Sequence, residues 1–225
     1  MKKNCKEAWV VIPAYNEENR LGPVIRQARG FAGNVIVVDD GSKDGTAAIA
    51  KGEKAVVLRH IVNLGKGAAL KTGCDYAVSQ GAKVMVTLDA DAQHKPRDIP
   101  RFLKALENVE MVFGCRTLNR KMPVILRFGN WLITKMAALL YRVSIPDTQS
   151  GFRAFTRDAY SKIRWKANDY SMESEMVANV GKHKIKYAIV PIETLYPDRY
   201  KGTTVLDGIK IVVNLLRWKV MQNGL

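Results

Sequence analysis

Residues 34–50 read NVIVVDDGSKDGTAAIA, and this stretch decides the fold. A β-branched run closes on an acidic pair, Asp39-Asp40. Gly41 permits a tight turn there, and Asp44 or Ser42 can cap a helix that starts at once. The unit is a strand, a turn and a helix. The same alternation extends outward on both sides. Apolar runs at 8–12, 34–39, 55–58, 83–88 and 111–114 are separated by helical patterns at 17–31, 44–50, 66–79 and 97–106. This rhythm predicts an α/β fold with a mostly parallel sheet flanked by helices. In such sheets ligands bind at the carboxyl ends of the strands.

Beyond residue 115 the rhythm changes. Residues 123–143 read as one long helix. Arg127, Asn130, Thr134, Lys135 and Arg142 share one side of its wheel, and Ile125, Leu132, Ile133, Met136, Leu139 and Leu140 fill the other. A turn-like segment, IPDTQSGFRAF, follows at 145–155. A helix near 172–181, a strand near 185–192 and a last helix near 205–220 complete the chain. The last helix carries a broad apolar face, with Lys210, Asn214 and Arg217 on a narrow stripe. We read one domain over 1–225, with 1–115 as a nucleotide-binding half and 116–225 as an acceptor-binding, membrane-facing half.

Charge narrows the partners. The 36 Lys+Arg against 21 Asp+Glu leave a net charge of +15, which implies an anionic partner: nucleic acid, an anionic membrane or a phosphorylated substrate. A nucleic-acid binder would interleave its basic stripe with exposed aromatics. Here the arginines stand beside carboxylate motifs that would repel phosphate unless a metal is present, so no nucleic-acid partner is expected. Cys5, Cys74 and Cys115 are scattered and odd in number, which argues against a disulfide framework. The N-terminal apolar run is too short for a signal peptide. No charge-free apolar run approaches the ~18 residues of a membrane span. The expectation is a protein that is soluble or rests on a membrane.

The sharpest chemical signal is Asp89-Ala90-Asp91-Ala92-Gln93, after the run KVMVTL. Side chains alternate in extended chain, so Asp89 and Asp91 project to one side. Two adjacent carboxylates repel unless a cation sits between them. A hard divalent ion suits them, and Gln93 can add a carbonyl oxygen; two solvated loop aspartates are the bland alternative. A second signal is Asp39-Asp40 itself, placed to accept hydrogen bonds from a base or ribose, or only to tie down the turn. Pro13-Ala14-Tyr15-Asn16-Glu17 offers an aromatic ring beside acidic and amide groups, or a helix start capped by Asn16. Asn63-Leu64-Gly65-Lys66-Gly67 resembles a phosphate cradle without the full glycine pattern. Arg116, Arg127, Arg153 and Arg199 could meet phosphates in a bidentate manner. His60, His94 and His183 are uninformative singly, and no nucleophile triad stands out.

In this order PAYNE, DDGSKDGT, NLGKGAA, DADAQ, GCR, DTQSGFRAF and ESEM resemble the motifs of the large inverting glycosyltransferase family two, and among its branches the polyprenyl-phosphate sugar synthases. The likeness spans about residues 9–208. It implies a GT-A fold, in which a Rossmann-like sheet binds the nucleotide and amphipathic helices lie at the C-terminal end. It also implies roles. Pro13, Tyr15, Glu17 and Asp40 would face the nucleoside; Lys66, which its own segment offers as a nucleotide contact or a solvated lysine, is taken as a further nucleotide contact. Asp89, Asp91 and Gln93 would hold magnesium or manganese. Arg116 and Arg127 would meet the acceptor phosphate, and Arg199 the donor diphosphate, so that Asp91, Arg116 and Arg127 form the reacting centre.

The reaction implied moves a sugar, with mannose favoured, from GDP-mannose or UDP-glucose to a polyprenyl or dolichyl phosphate. The expected place is the anionic inner face of the cell membrane, reached through the protein's own surface. A rival in the same class transfers sugar to a hydroxyl, with Glu173 or Glu175 as general base.

Overall fold

β-Branched runs with no polar interruption form the centre of a seven-stranded sheet in the computed structural model, which describes residues 7–116, 124–193 and 205–222. The first half alternates strictly: β1 (Ala8–Ala14), α1 (Glu18–Arg29), β2 (Asn34–Asp39), α2 (Thr46–Gly52), β3 (Val56–Arg59), α3 (Lys66–Ser79) and β4 (Val84–Thr87). A 3-10 turn at Pro96–Asp98 leads into α4 (Ile99–Ala105) and β5 (Met111–Arg116). Then come α5 (Val124–Tyr141), β6 (Arg153–Thr156), α6 (Arg157–Ile163), α7 (Ser171–Lys182), β7 (Tyr187–Ile192) and α8 (Val205–Gln222).

The strand order is β3-β2-β1-β4-β6-β5-β7. β1 pairs in parallel with β2 and β4, β2 with β3, and β5 with β7. Only β6 runs the other way, between β4 and β5. The mostly parallel α/β sheet expected from the sequence is therefore observed, and β1 and β2 are buried on both faces, which explains their apolar runs.

The expected turn at 145–155 is corrected in part. Its last residues form β6, in register Thr87↔Arg153 and Met85↔Phe155 with β4. Four residues are too few to show an alternation in sequence. The reversed direction matters for the site. It brings the start of β6, and the DTQSG segment ahead of it, to the carboxyl end of β4. Thr87 Oγ1 fixes this approach by donating to the Gly151 carbonyl at 2.7 Å.

Apolar layers cover both faces of the sheet. On one side Val11, Ile36 and Val38 meet Leu70 and Cys74 of α3 and the helices of the second half. On the other, Val10, Ile12 and Val37 meet Leu21 and Ile25 of α1, and Phe102 of α4 stacks on Phe152 at 4.1 Å between ring centroids. α5 buries Ile133, Ala137 and Tyr141, α8 buries Ile211 and Leu215, and Tyr141 Oη donates to the Leu215 carbonyl at 2.7 Å to tie the two helices. The expected wide apolar face of α5 is thus divided. Ile133 points inward, whereas Leu132 and Leu139 are exposed alongside Trp131, Lys135 and Arg142.

Candidate active site

The carboxyl edge of the sheet collects the loops that the sequence singles out. After β1, the turn 14–17 is laced to the turn 40–46. Asn16 Oδ1 accepts from Lys43 N at 2.9 Å, and Asn16 and Glu17 donate their backbone N–H groups to Ser42 Oγ and Thr46 Oγ1. Asn16 takes a left-handed φ of 54°, a conformation asparagine tolerates better than most residues. Tyr15 is left exposed at this edge, and Glu17 is paired with Arg20 at 3.5 Å.

Asp39, which ends β2, and Asp40, which follows it, are both committed to the protein. Asp39, fully buried, accepts from Ser42 N at 2.9 Å and lies 3.0 Å from Arg59 Nε. Asp40 accepts from Leu64 N and Gly65 N at 2.9 and 2.8 Å and from His60 Nδ1 at 2.7 Å, while the other imidazole nitrogen meets Thr72 Oγ1. Asp40 therefore anchors the loop 60–65 from beneath.

That loop sets the start of α3. Gly65 has φ +97°, and a Cβ on it would stand 2.4 Å from the Asn168 carbonyl oxygen. Only glycine permits this approach, which draws the 165–169 segment onto α3, where Trp165 Nε1 donates to the Gly67 carbonyl at 2.8 Å. The glycines around Lys66 thus serve a close backbone contact. Its consequence is that the Lys66 ammonium lies 2.7 Å from Asp89 Oδ1 and 2.9 Å from Glu173 Oε1 on α7. Both carboxylates hold the Lys66 pKa above its ordinary value despite burial.

Asp89 and Asp91 follow β4. The Asp89 carboxylate packs against the Gly151 backbone, where a Cβ would come within 2.5 Å of Oδ2, and that oxygen also faces His94 Nδ1 at 3.7 Å. Burial would raise the pKa of Asp89, but Lys66 and the other cations outweigh it and hold the group ionised. Asp91 differs: burial, and then the Asp89 charge, push its carboxyl up to about 6, against one stabilising bond from Gln93 N at 2.9 Å. Ala92, between Asp91 and Gln93, has φ 62°, a strained value for a residue with a Cβ. Gln93 is buried in the same turn. Burial also drives His94 down to about 4, so its ring is neutral at physiological pH.

On the far side Arg116, at the end of β5, clasps Asp147 through Nε and Nη2 at 2.6 and 3.0 Å. Burial of Asp147 would raise its pKa, and Arg116 reverses that. Arg153 is inside the protein. It donates to the carbonyls of Ser150, Thr148 and Glu173 and so braces DTQSG against α7 rather than facing a ligand. Arg127 belongs to α5, but its side chain is outside the described residues, as is Arg199 altogether. Of the residues expected to act together, the structure unites Lys66, Asp89, Asp91 and Gln93.

Sequence reasoning did not foresee Asp147 as the partner of Arg116, nor Glu173 as the partner of Lys66. The first had a signal in DTQSG following the long helix. The second joins residues 107 positions apart, and no local pattern reports that. His94 lies five residues after Asp89 and was not distinguished from a surface histidine.

A parallel half-sheet with loops 14–17, 40–46 and 63–67 on its carboxyl edge, joined to a carboxylate pair and a reversed strand, is the architecture of a GT-A nucleotide-sugar transferase. The chain belongs to Glycosyl transferase family 2, which matches residues 9–164. It is 34% identical to the UDP-N-acetylglucosamine–dolichyl-phosphate N-acetylglucosaminyltransferase of Methanococcus voltae, over 96% of this chain and 97% of that one. It is 28% identical to the undecaprenyl-phosphate mannosyltransferase of Micrococcus luteus, over 92% of each. Among solved structures, glucosyl-3-phosphoglycerate synthase of Mycobacterium tuberculosis in complex with Mn2+, UDP-glucose and phosphoglyceric acid superposes with a TM-score of 0.76 at 20% identity. The match covers 97% of this chain and 81% of that one, and it is a likeness of fold.

Proposed function

We propose that the protein transfers a sugar from a nucleoside-diphosphate sugar to the phosphate of a polyprenyl or dolichyl lipid, with inversion at the anomeric carbon. The observation that carries this reading is the Asp89–Asp91 pair on the carboxyl edge of the sheet, with Glu173 and Glu175, the two candidate bases for a hydroxyl acceptor, already committed elsewhere. Glu173 is paired with Lys66 at 2.9 Å, and Glu175 accepts the backbone N–H groups of Lys166 and Ala167. A hydroxyl acceptor needs a base to remove its proton. A phosphate acceptor is already an anion and needs only to be positioned. The relatives from M. voltae and M. luteus, both named for transfer to a lipid phosphate, support the same acceptor.

The residues at the pair fit a hard divalent cation. Asp91 is pushed up by burial and by Asp89, so an added positive charge would relieve it, and the Lys66 ammonium already stands on Asp89 as a substitute charge. Among the described residues no third His, Cys, Asp or Glu completes a closed metal cage. Asp89, Asp91 and the Gln93 carbonyl would hold magnesium or manganese. When bound, such an ion would neutralise the charge of a departing diphosphate.

The chain's own residues would do the rest. Pro13, Tyr15 and Glu17 would line the nucleoside, with Asp40 acting through the loop it anchors. Lys66 would meet the diphosphate, joined by Arg199. Arg116, oriented by Asp147, and Arg127 on α5 would bring positive charge to the acceptor phosphate. Residues 1–115 would then serve the donor and 116–225 the acceptor.

Membrane contact is proposed for α5 and α8. No helix among the described residues is long and apolar enough to cross a bilayer. Trp131, Leu132 and Leu139 on α5, and Val213 and Leu216 on α8, are nonetheless exposed beside Lys135, Arg142 and Arg217. Apolar groups interleaved with basic ones suit an anionic interface.

The sugar is proposed as a hexosyl or N-acetylhexosaminyl group, with mannose, as expected from sequence, one arm of the test. The purified protein would be given polyprenyl phosphate with the GDP and UDP forms of mannose, glucose and N-acetylglucosamine. One donor should yield lipid-extractable sugar. Transfer from none of them, with any of these sugars going instead to a soluble hydroxyl acceptor, would contradict the reading.

A further inference from the structure

Lys66 occupies an unusual position for a group expected to touch a substrate phosphate. Its ammonium is already bound, at 2.7 Å to Asp89 and 2.9 Å to Glu173, in a pocket where it is largely shielded from water. Asp89 itself cannot turn away to make room. Both of its oxygens are packed against the Gly151 backbone, where a Cβ would come within 2.5 Å of Oδ2 and 2.7 Å of Oδ1; Oδ2 also faces His94, and Lys66 stands on Oδ1. Lys66, in contrast, has a flexible stem and a second carboxylate to retreat to. The start of α3 stays fixed through Asp40 and the 165–169 segment, so only the side chain needs to move.

We propose that Lys66 is a tethered counterion that blocks Asp89 until the nucleotide arrives, so that metal and nucleotide bind as a linked pair. This rests on the metal-dependent reading above and adds the order it imposes. Without nucleotide, a divalent ion must displace an ammonium from Asp89, and the affinity is low. With a nucleoside diphosphate present, the phosphates and Glu173 together hold Lys66 off Asp89, and both carboxylates of the pair open to the metal. Because linkage is reciprocal, metal strengthens nucleotide binding by the same factor. Glu173 is then a parking site for the lysine and not a proton acceptor.

Manganese binding followed by electron paramagnetic resonance, at neutral pH and with UDP and GDP run in parallel, tests this without any turnover. Wild-type protein should bind Mn2+ at least ten-fold more tightly with nucleotide than without. Lys66→Met should bind Mn2+ at least ten-fold more tightly than wild type in the absence of nucleotide, and that advantage should vanish when nucleotide is added. Lys66→Arg should resemble wild type. Should Lys66→Met not fold, Glu173→Gln serves instead: by confining Lys66 to Asp89 it should weaken Mn2+ binding several-fold without nucleotide and leave it unchanged with nucleotide. An equal shift in both conditions, for either variant, would mean that Lys66 only adds charge to the pocket and would overturn the proposal, as would no shift at all. Absence of Mn2+ binding to wild type even with nucleotide would instead remove the metal-dependent reading on which the proposal stands.

Discussion

Arg116 and Asp147 form a two-bond clasp, with Nε and Nη2 at 2.6 and 3.0 Å from the two carboxylate oxygens, and the Arg116 backbone N–H adds a third contact at 3.2 Å. The clasp joins the end of β5 to the DTQSG segment and so fixes one wall of the site. Asp147→Asn keeps the shape but removes the charge. It should cost on the order of 1–3 kcal/mol of stability, measured by urea unfolding, because a charge-assisted pair is lost at a nearly buried position. Transfer by the remaining folded protein should fall through the acceptor constant more than the donor constant. Equal shifts in both would place Arg116 outside the acceptor side.

Asp91 gives a pH signature. Its folded pKa of about 6 lies above the ordinary 3.8, so the folded protein holds the proton more tightly than the unfolded chain. The Asp91 contribution to the stability of the metal-free protein should therefore be most favourable below the ordinary value, decline as pH rises through that window and level off above about 6, while Asp89 and Asp147, held below their ordinary values, pull the other way in acid. Asp91→Asn removes the penalty. In excess EDTA at neutral pH it should stabilise the fold, by on the order of 2–3 kcal/mol, while abolishing transfer. Denaturant midpoints of both proteins across pH check this; a gap between Asp91→Asn and wild type that fails to widen as pH rises through the window would contradict it.

Much of this was legible in advance. The α/β alternation, the parallel pairing and the placement of DDGS, NLGKG and DADAQ at strand ends follow from periodicity and turn residues, which are local. What was not legible depends on contacts distant in sequence. β6 is too short to reveal itself, and its direction is set by pairing with β4 and β5. Arg153 looks like a phosphate ligand in SGFR, yet its donors go to the carbonyls of Ser150, Thr148 and Glu173. Asp40 looks like a base contact, yet in the structure it ties down the loop to Gly65. In each instance the residue type was informative and its partner was not.

The exposed face of α5 supplies a third expectation. Leu139 is 77% exposed, and it shares the outward stripe with Trp131, Lys135 and Arg142. Wild-type protein should float with liposomes containing anionic lipid and dissociate as salt rises, since each basic group near such a surface contributes about 1 kcal/mol that salt screens. Leu139→Glu should abolish flotation with little effect on folding, because the side chain is already in water. Flotation unchanged in this variant, or absent from wild type at low salt, would mean that α5 does not meet the membrane.

A lipid phosphate, and not a hydroxyl, is proposed to receive the sugar at the Asp89–Asp91 pair. The most direct measurement offers the protein labelled sugar nucleotide with either polyprenyl phosphate or the corresponding free polyprenol, with and without EDTA, beside Asp89→Ala as a control. Label should enter lipid only with the phosphate, only with a divalent metal, and at least a hundred-fold less in Asp89→Ala, equivalent to about 3 kcal/mol of transition-state stabilisation. Transfer to free polyprenol at a comparable rate, or full transfer to the phosphate in EDTA or by Asp89→Ala, would contradict it.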